Sequence, residues 1–495
     1  MRRSESPLDI LIVGAGISGI GMAAHVRRAL PHKKIAIVER RQRIGGTWDL
    51  FRYPGVRSDS DMYTLGFSFA PWRGKRAVAT GEEILGYLDS VIEAHDLRGA
   101  IHAGTTVRSA DWSDAIGLWT VAAQDEGGEY TLTTRFLFIG AGYYDYDEPA
   151  AATIPGLERF AGRVIHPQAW PTDADWAGKH VVVIGSGATA VTLTPAMARD
   201  AAQVTMLQRT PSWFYAQPGT DKIAQVLNRV LPAKWAYRLV RYKNVALQDY
   251  FFRQSRKDPE GTGAYLQARL RNEIGAAYDP ASMTPPYGPW RQRLCFVPDS
   301  DLFAAMRDGR ARLVTGEIAQ VEPHAILLRD GRRLPADVIV TATGLRLAPL
   351  GKIAVSIDGE PVRFAEHWYY RSCMFSNVPN FAALFGYLNA AWTLRVDLVG
   401  EWLCRLFAQM DAWDLQLVTP LLPADHALVE ADPLAGFTSS YLQQGRHLIP
   451  KSARGGPWRL SHDYPADRRE MREAPIDDGW LAFRRVRVAG ERQLS

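Results

Sequence analysis

The 495-residue chain has only three cysteines, Cys295, Cys373 and Cys404, and no two of them stand at CxxC or metal-ligand spacing. That scatter excludes a disulfide scaffold, gives no metal site and fits a reducing compartment. No apolar run approaches the roughly 18 residues that a membrane-spanning helix needs. No block of like charge suggests a nucleic-acid tract or a polybasic anchor. The formal charge of +5 is a mild excess, suited to anionic pyrophosphates rather than to a polyanionic partner. The stretch Met1 to Pro7 is basic but runs straight into an apolar strand and a glycine loop, so no signal peptide is expected. Together these absences predict a soluble, cytoplasmic protein, with peripheral membrane contact left open.

What is present is ordinary globular composition, 47% hydrophobic and 22% charged. The length is too great for one core and predicts two or more nucleotide-sized domains. Two strand–glycine–helix units stand out. The first is Ile10-Leu11-Ile12-Val13, then Gly14-Ala15-Gly16-Ile17-Ser18-Gly19, an alanine-rich helix and a second strand ending at Glu39. The second is Val181-Val182-Val183-Ile184, then Gly185-Ser186-Gly187-Ala188-Thr189-Ala190, a helix and a strand ending Gln208-Arg209. A strand-like stretch from Trp119 to Ile139 closes on Gly140-Ala141-Gly142, and a related strand, Asp337 to Thr341, closes on Ala342-Thr343-Gly344. Residues Thr210 to Tyr278 carry Arg, Lys, Gln and aromatics at helical spacing, such as Trp235, Leu239, Val240 and Tyr242. They read as a helical cover, with membrane or subunit contact as the other reading. Leu398 to Trp413 is amphipathic and predicts a helix, and the tail beyond Arg487 reads as loose.

The first loop holds all three glycines of a dinucleotide turn, and Glu39 follows Gly19 by twenty residues. Gly14 allows the tight turn, Gly16 lets a pyrophosphate approach the backbone, and Gly19 lets helix and strand pack. Ser18 can donate to a phosphate, and Glu39 can accept from a ribose. The following Arg43-Ile44-Gly45-Gly46-Thr47-Trp48 puts glycines and an aromatic where a flavin ring would lie, which favours FAD over NAD. In the second loop Ala190 takes the third glycine position, an allowed variant, and the acid is replaced by Arg209. A cation there suits the 2′-phosphate of NADPH; a solvated surface arginine is the plainer reading. The fold class that follows is α/β, with two Rossmann-like dinucleotide-binding domains for FAD and NADPH. The FAD domain is expected over 1–150 and 343–495, the NADPH domain over 151–209 and 289–342, and the helical insertion over 210–288.

Between the loops runs Phe160-Ala161-Gly162-Arg163-Val164-Ile165-His166-Pro167-Gln168-Ala169-Trp170-Pro171. It resembles the FxGxxxHxxxWP fingerprint of Baeyer–Villiger monooxygenases at each specified position: Phe160, Gly162, His166, Trp170 and Pro171. The strings Gly45 to Asp61, Tyr143 to Glu148, Gly185 to Thr194, Pro289 to Pro298 and Gly386 to Thr393 are similar to the ethionamide-activating branch of that family. On its own a histidine such as His166 is more often a satisfied core residue, and only the fingerprint favours a functional reading.

The resemblance implies an FAD-containing, NADPH-driven monooxygenase that inserts one atom of O₂ beside a ketone carbonyl, giving esters or lactones, or into sulfide or thioamide sulfur. It implies Arg293 as the catalytic cation and Asp59 as the acid that orients it, although Arg291 and Arg293 also read as surface residues. It extends the nucleotide contacts to Gly46, Thr47, Trp48, Asp49 and Leu50, to Arg57, Ser58 and Asp59, to Val107, and to Ser186, Gly187, Ala188, Thr189 and Gln208. Gln292 departs from the pattern, since many relatives place a lysine there, and this leaves Arg209 as the main support for NADPH. The competing reading is an N- or S-oxygenating flavin monooxygenase, disfavoured by Trp170-Pro171 and Arg293. A pyridine-nucleotide disulfide reductase would need a redox cysteine pair. A non-catalytic redox sensor on the same fold stays open.

Overall fold

The computed structural model describes residues 6–150, 152–422 and 428–486; the start at 1–5 and the tail beyond Arg487 lie outside the described residues. Leu8–Val13 is apolar at nearly every position, the pattern of a strand covered on both faces. It sits inside a nine-stranded sheet. Ile35–Glu39 runs parallel on one side, with Ile10 opposite Ile35, and Gly128–Ile139 runs parallel on the other, with Val13 opposite Ile139. The helix Ile17–Ala29 makes the crossover and packs against the long helix Trp392–Ala412.

The stretch Trp119 to Ile139 is not one strand. It is a hairpin of Leu118–Asp125 and Gly128–Ile139, turning where Gly128 has φ +107°. Asp125 Oδ1 accepts from Gly127 N at 2.7 Å, so a short acidic side chain caps a turn that glycine makes possible. Gly128–Ile139 is antiparallel to its hairpin partner over its first half. Its last residues, Leu137 to Ile139, then lie between two parallel neighbours, Leu8–Val13 and Phe381–Ala383. The chain beyond 343 therefore returns to the first sheet.

The second sheet has five parallel strands in the order Ala311–Thr315, Gln203–Gln208, His180–Ile184, Val338–Thr341, Arg163–Ile165. Helix Ala188–Met197 covers one face. The antiparallel strands Ile318–Glu322, Ala325–Leu328 and Arg333–Pro335 supply apolar side chains to the other.

The helical cover opens with a strand, Phe214–Gln217, parallel to Cys295–Pro298. It continues as helices Lys222–Val230, Ala233–Lys257 and Pro259–Ile274. The 25-residue helix Ala233–Lys257 packs on the first unit as well as the second. Tyr237 Oη donates to Phe67 O at 3.0 Å, and Arg241 donates to the carbonyl of Tyr63 and to Asp397 Oδ2 at 2.7 Å. Helix Trp392–Ala412 starts earlier than the amphipathic pattern suggested. Its first turn is tied down by Thr393 Oγ1, which donates to Leu65 O at 2.6 Å. Among the described residues no helix is long and apolar enough to cross a membrane.

Candidate functional site

The carboxyl ends of the parallel strands in the first sheet open into a cavity of about 390 Å³, the position at which open α/β sheets bind ligands. Gly14 ends the first strand at φ +101°, a region that costs a side chain strain. A Cβ on Gly19 would stand 1.9 Å from the Gly14 carbonyl oxygen, so the helix can close onto the strand only with that position bare. Gly16, Ile17 and Ser18 then line the cavity at the helix N-terminus, where backbone N–H groups and the helix dipole favour an anion.

Glu39 closes one end. Its Oε2 accepts from Ala15 N at 2.8 Å and its Oε1 from Arg41 N at 2.9 Å, which fixes the carboxylate at the cavity wall. Ser18 Oγ accepts from Trp392 Nε1 at 2.8 Å, and this leaves its own O–H as a donor. Gly46, Thr47, Trp48, Ser58, Asp59 and Val107 share the lining. A Cβ on Gly46 would meet Gly16 Cα at 3.1 Å, so two bare backbones face each other across the floor. An anion cradle, a fixed ribose acceptor and an aromatic wall make this lining fit a flavin adenine dinucleotide.

Several expected contacts are turned elsewhere. The Asp49 carboxylate, buried to 2% exposure, is met by Arg41 at 2.6 Å, Arg43 at 2.9 Å and Arg52. Three guanidiniums occupy it, so it braces the loop, and Leu50 packs toward the core of the second unit. Arg57 leaves the cavity to form a two-pronged pair with Asp301, at 2.5 and 3.2 Å. Gln208 is buried, and its Nε2 donates to Ser282 O at 2.6 Å and Thr315 Oγ1 at 2.8 Å. Asp49, Arg57 and Gln208 thus direct their polar groups to partners within the protein.

The second glycine loop contributes no residue to the lining of this cavity. Gly187 and Ala188 are exposed at the start of helix Ala188–Met197, and a Cβ on Gly187 would meet nothing within 4 Å. Ser186 shares a 2.7 Å hydroxyl–hydroxyl bond with Ser212, Thr189 lies beside Tyr53, and Ala190 is buried. Arg209 is exposed and forms no ion pair among the described residues. A bare helix N-terminus, with a free cation just past the end of the neighbouring parallel strand Gln203–Gln208, fits a phosphorylated dinucleotide.

Arg293 and Asp59 pair at the cavity wall, where Nη2 donates to Oδ1 at 2.8 Å. Both line the cavity. The Asp59 charge, first of all, holds the Arg293 guanidinium well above its ordinary pKa. Tyr143, Tyr144 and Tyr441 line the same cavity and feel its charge, and burial raises all three phenols further above neutrality, leaving them as protonated O–H groups. The Tyr143 and Tyr144 hydroxyls bond to each other, and the Tyr143 ring stacks on Trp392 at 5.1 Å. Burial pushes the Cys295 thiol up to about 12, so it is no nucleophile.

The fingerprint residues line no part of the cavity. Phe160 belongs to the core of the second unit, and a Cβ on Gly162 would stand 2.2 Å from Asp337 O. His166 Nδ1 accepts from Gln168 N at 3.1 Å, and its Nε2 is buried without a partner. Burial lowers its pKa and keeps it neutral. Gln168 Nε2 reaches Asp145 O at 2.7 Å on the crossing segment, Trp170 packs edge-on against Trp176 at 5.8 Å, and Pro171 follows it. The string thus ties the edge strand Arg163–Ile165 to the passage between the sheets. Sequence reasoning missed Tyr441 and Asp301. No local signal could have found them, because each meets its partner across more than a hundred residues of chain.

The family described as pyridine nucleotide-disulphide oxidoreductase matches residues 11–233. The three cysteines are buried, unpaired and all raised to about 12 by burial, so no redox pair accompanies that likeness. The FAD-containing monooxygenase EthA of Mycobacterium tuberculosis is 45% identical over 478 residues, 96% of this chain and 97% of that protein. Its namesake from Mycolicibacterium smegmatis is 41% identical, over 97% and 98%. Among solved structures, an oxidized steroid monooxygenase bound to NADP superposes with a TM-score of 0.75 at 23% identity, covering 97% of this chain and all of that one.

Proposed function

The chain belongs to the family of FAD-containing monooxygenases, and from that premise we propose a NADPH-consuming enzyme of Baeyer–Villiger type. Its substrates are ketones, converted to esters or lactones, with sulfides and thioamides oxygenated at the same site. The observation that carries this reading is the Arg293–Asp59 pair, which shares the wall of one cavity with Tyr143, Tyr144 and Tyr441 and with the first glycine loop and Glu39. In this reading the first sheet, with residues 6–150 and the chain beyond 343, holds FAD. Residues 152–209 and 289–342 hold NADPH, and 210–288 form the insertion.

FAD reduced by NADPH supplies the activation of O₂ when bound; the protein supplies position, charge and dryness. Glu39 takes the ribose, and the backbone from Gly14 to Ser18 takes the pyrophosphate. Arg209 takes the 2′-phosphate. Arg293 is a fixed cation at the point where negative charge gathers on oxygen as it adds to a carbonyl, and it stabilises the substrate alkoxide. A pre-set guanidinium needs no reorganisation at that moment. Asp59 is the positioning residue: at 2.8 Å it sets the direction of one Nη and leaves the other N–H donors for substrate. Tyr143, Tyr144 and Tyr441, as O–H donors, hold the near side and limit water at the reacting centre.

The test is NADPH consumption and product analysis of the purified yellow protein over a panel of ketones and sulfides. Ester formation from a ketone supports the proposal. Sulfoxide with no ester from any ketone moves the protein to the heteroatom-oxygenating reading. NADPH loss matched only by hydrogen peroxide contradicts both for that panel.

A further inference from the structure

The helical cover contains a surface that the chemistry above does not use. From Lys222 to Gln248 the sequence has six cations and no acid. Two of those cations serve the fold: Arg241 is buried against Asp397, and Lys243 pairs with Asp221 at 2.5 Å. The other four, Lys222, Arg229, Lys234 and Arg238, are exposed and form no ion pair among the described residues.

Apolar side chains run between them. On helix Ala233–Lys257, Trp235, Leu239, Tyr242, Ala246 and Tyr250 all point to solvent. Their spacing of three to four residues puts them on one stripe. The opposite stripe, Tyr237, Arg241, Asn244 and Gln248, holds the protein: Asn244 donates to Asp61 Oδ1 at 2.8 Å and Gln248 to Asn389 O at 3.2 Å. On the adjoining helix Lys222–Val230, Ile223, Val226 and Val230 are each more than half exposed, while Ala224 faces in. Arg238 lies over the Trp235 ring at 5.2 Å. Monomeric proteins rarely leave so contiguous an apolar patch uncovered.

From this face we infer that the protein docks, without spanning, on an anionic lipid bilayer. Apolar side chains with Trp and Tyr among them, flanked by free cations and unrelieved by acid, match the interfacial position of a surface-lying amphipathic helix. Charge complementarity selects the occupant. A second copy would set an acid-free, cationic face against itself, whereas acidic headgroups satisfy all four free cations. The first acid along the stripe, Asp249, is paired with Arg253 at 2.8 Å. Asp61 lies two residues from Asp59, so the docked helix also sits directly behind the segment that carries the positioning acid.

The experiment is cosedimentation of the flavin-loaded protein with vesicles of phosphatidylcholine alone, or mixed with phosphatidylglycerol. Binding is expected on the anionic vesicles and at least tenfold weaker on the neutral ones or at raised salt, since each interfacial Lys or Arg is worth about a fivefold gain in partitioning. The quadruple variant Lys222→Gln, Arg229→Gln, Lys234→Gln, Arg238→Gln should lose at least tenfold. So should the triple variant Val226→Ser, Trp235→Ser, Leu239→Ser. Unchanged flavin content and melting temperature would show that both variants are folded. The inference is overturned if the wild type ignores anionic vesicles, or if both folded variants bind as well as the wild type. It is equally overturned if the variants abolish self-association of a protein that binds no vesicles, because the face is then an interface between copies.

Discussion

Replacing Arg293 with alanine should separate catalysis from stability, because the two effects differ in size. The pair with Asp59 is a single 2.8 Å contact between side chains 44% and 25% exposed, open to the cavity. Such half-solvated pairs contribute roughly 1 kcal/mol or less to folding. The melting temperature should therefore move by only a few degrees. Loss of a fixed donor aimed at a developing oxyanion costs about a hundred- to a thousandfold in turnover, on the order of 3–4 kcal/mol. Arg293→Ala should thus keep its yellow flavin and its fold while ester formation drops by that factor. Arg293→Lys keeps the charge but loses the planar fork, and should fall between. The assay is product formed per NADPH consumed, at saturating NADPH, with a thermal melt on the same samples. Ester formation within about threefold of wild type in a folded Arg293→Ala protein would refute the role given to this residue.

Four further outcomes follow from named contacts. Asp59→Ala should lower ester formation roughly ten- to a hundredfold, the range expected when a positioning partner is lost, with flavin content unchanged by absorbance. Gly19→Ala puts a Cβ 1.9 Å from the Gly14 carbonyl oxygen, so the purified protein should be colourless or release flavin on gel filtration. Arg209→Ala should raise KM for NADPH by about ten- to a hundredfold, the worth of a charged hydrogen bond, and leave KM for NADH unchanged; equal effects on both would refute the 2′-phosphate contact. Burial, with the Arg395 charge second, lowers His462 from 6.5 to about 3. Unfolding therefore takes up a proton between those pH values, so this part of the stability is complete above pH 6.5 and falls with acid by about 1.4 kcal/mol per unit. Urea midpoints measured from neutral pH downward should show a shallower acid limb in His462→Gln.

The two strand–glycine–helix units were legible in the sequence because each is a local feature, a strand, a turn and a helix within about thirty residues. The return of the chain beyond 343 to the first sheet was legible for a similar reason, as a second apolar strand ending in small residues. What escaped depended on distant partners. Asp49 has the same sequence context whether it touches a nucleotide or three arginines, and the three guanidiniums decide it. Gln208 ends its strand just before Arg209 but turns inward to Ser282 and Thr315. Arg57 was expected beside Asp59, yet Asp301, far along the chain, draws it away. The hairpin at Gly128 was missed because apolar alternation on both sides masked the turn residues between. Tyr441 joined the cavity wall that carries Arg293 from a stretch with no motif at all.

In the proposed reaction one oxygen atom is placed next to a ketone carbonyl at a site governed by Arg293. Its most direct test is a single turnover series under isotopically labelled dioxygen, with NADPH and a simple cyclic ketone, followed by mass analysis of the product. The expected product is a lactone heavier by one labelled oxygen, formed by the wild type and lost in Arg293→Ala. A protein that consumes NADPH and labelled dioxygen in the presence of ketone, yet yields no labelled ester or lactone while it oxygenates a sulfide, would contradict it.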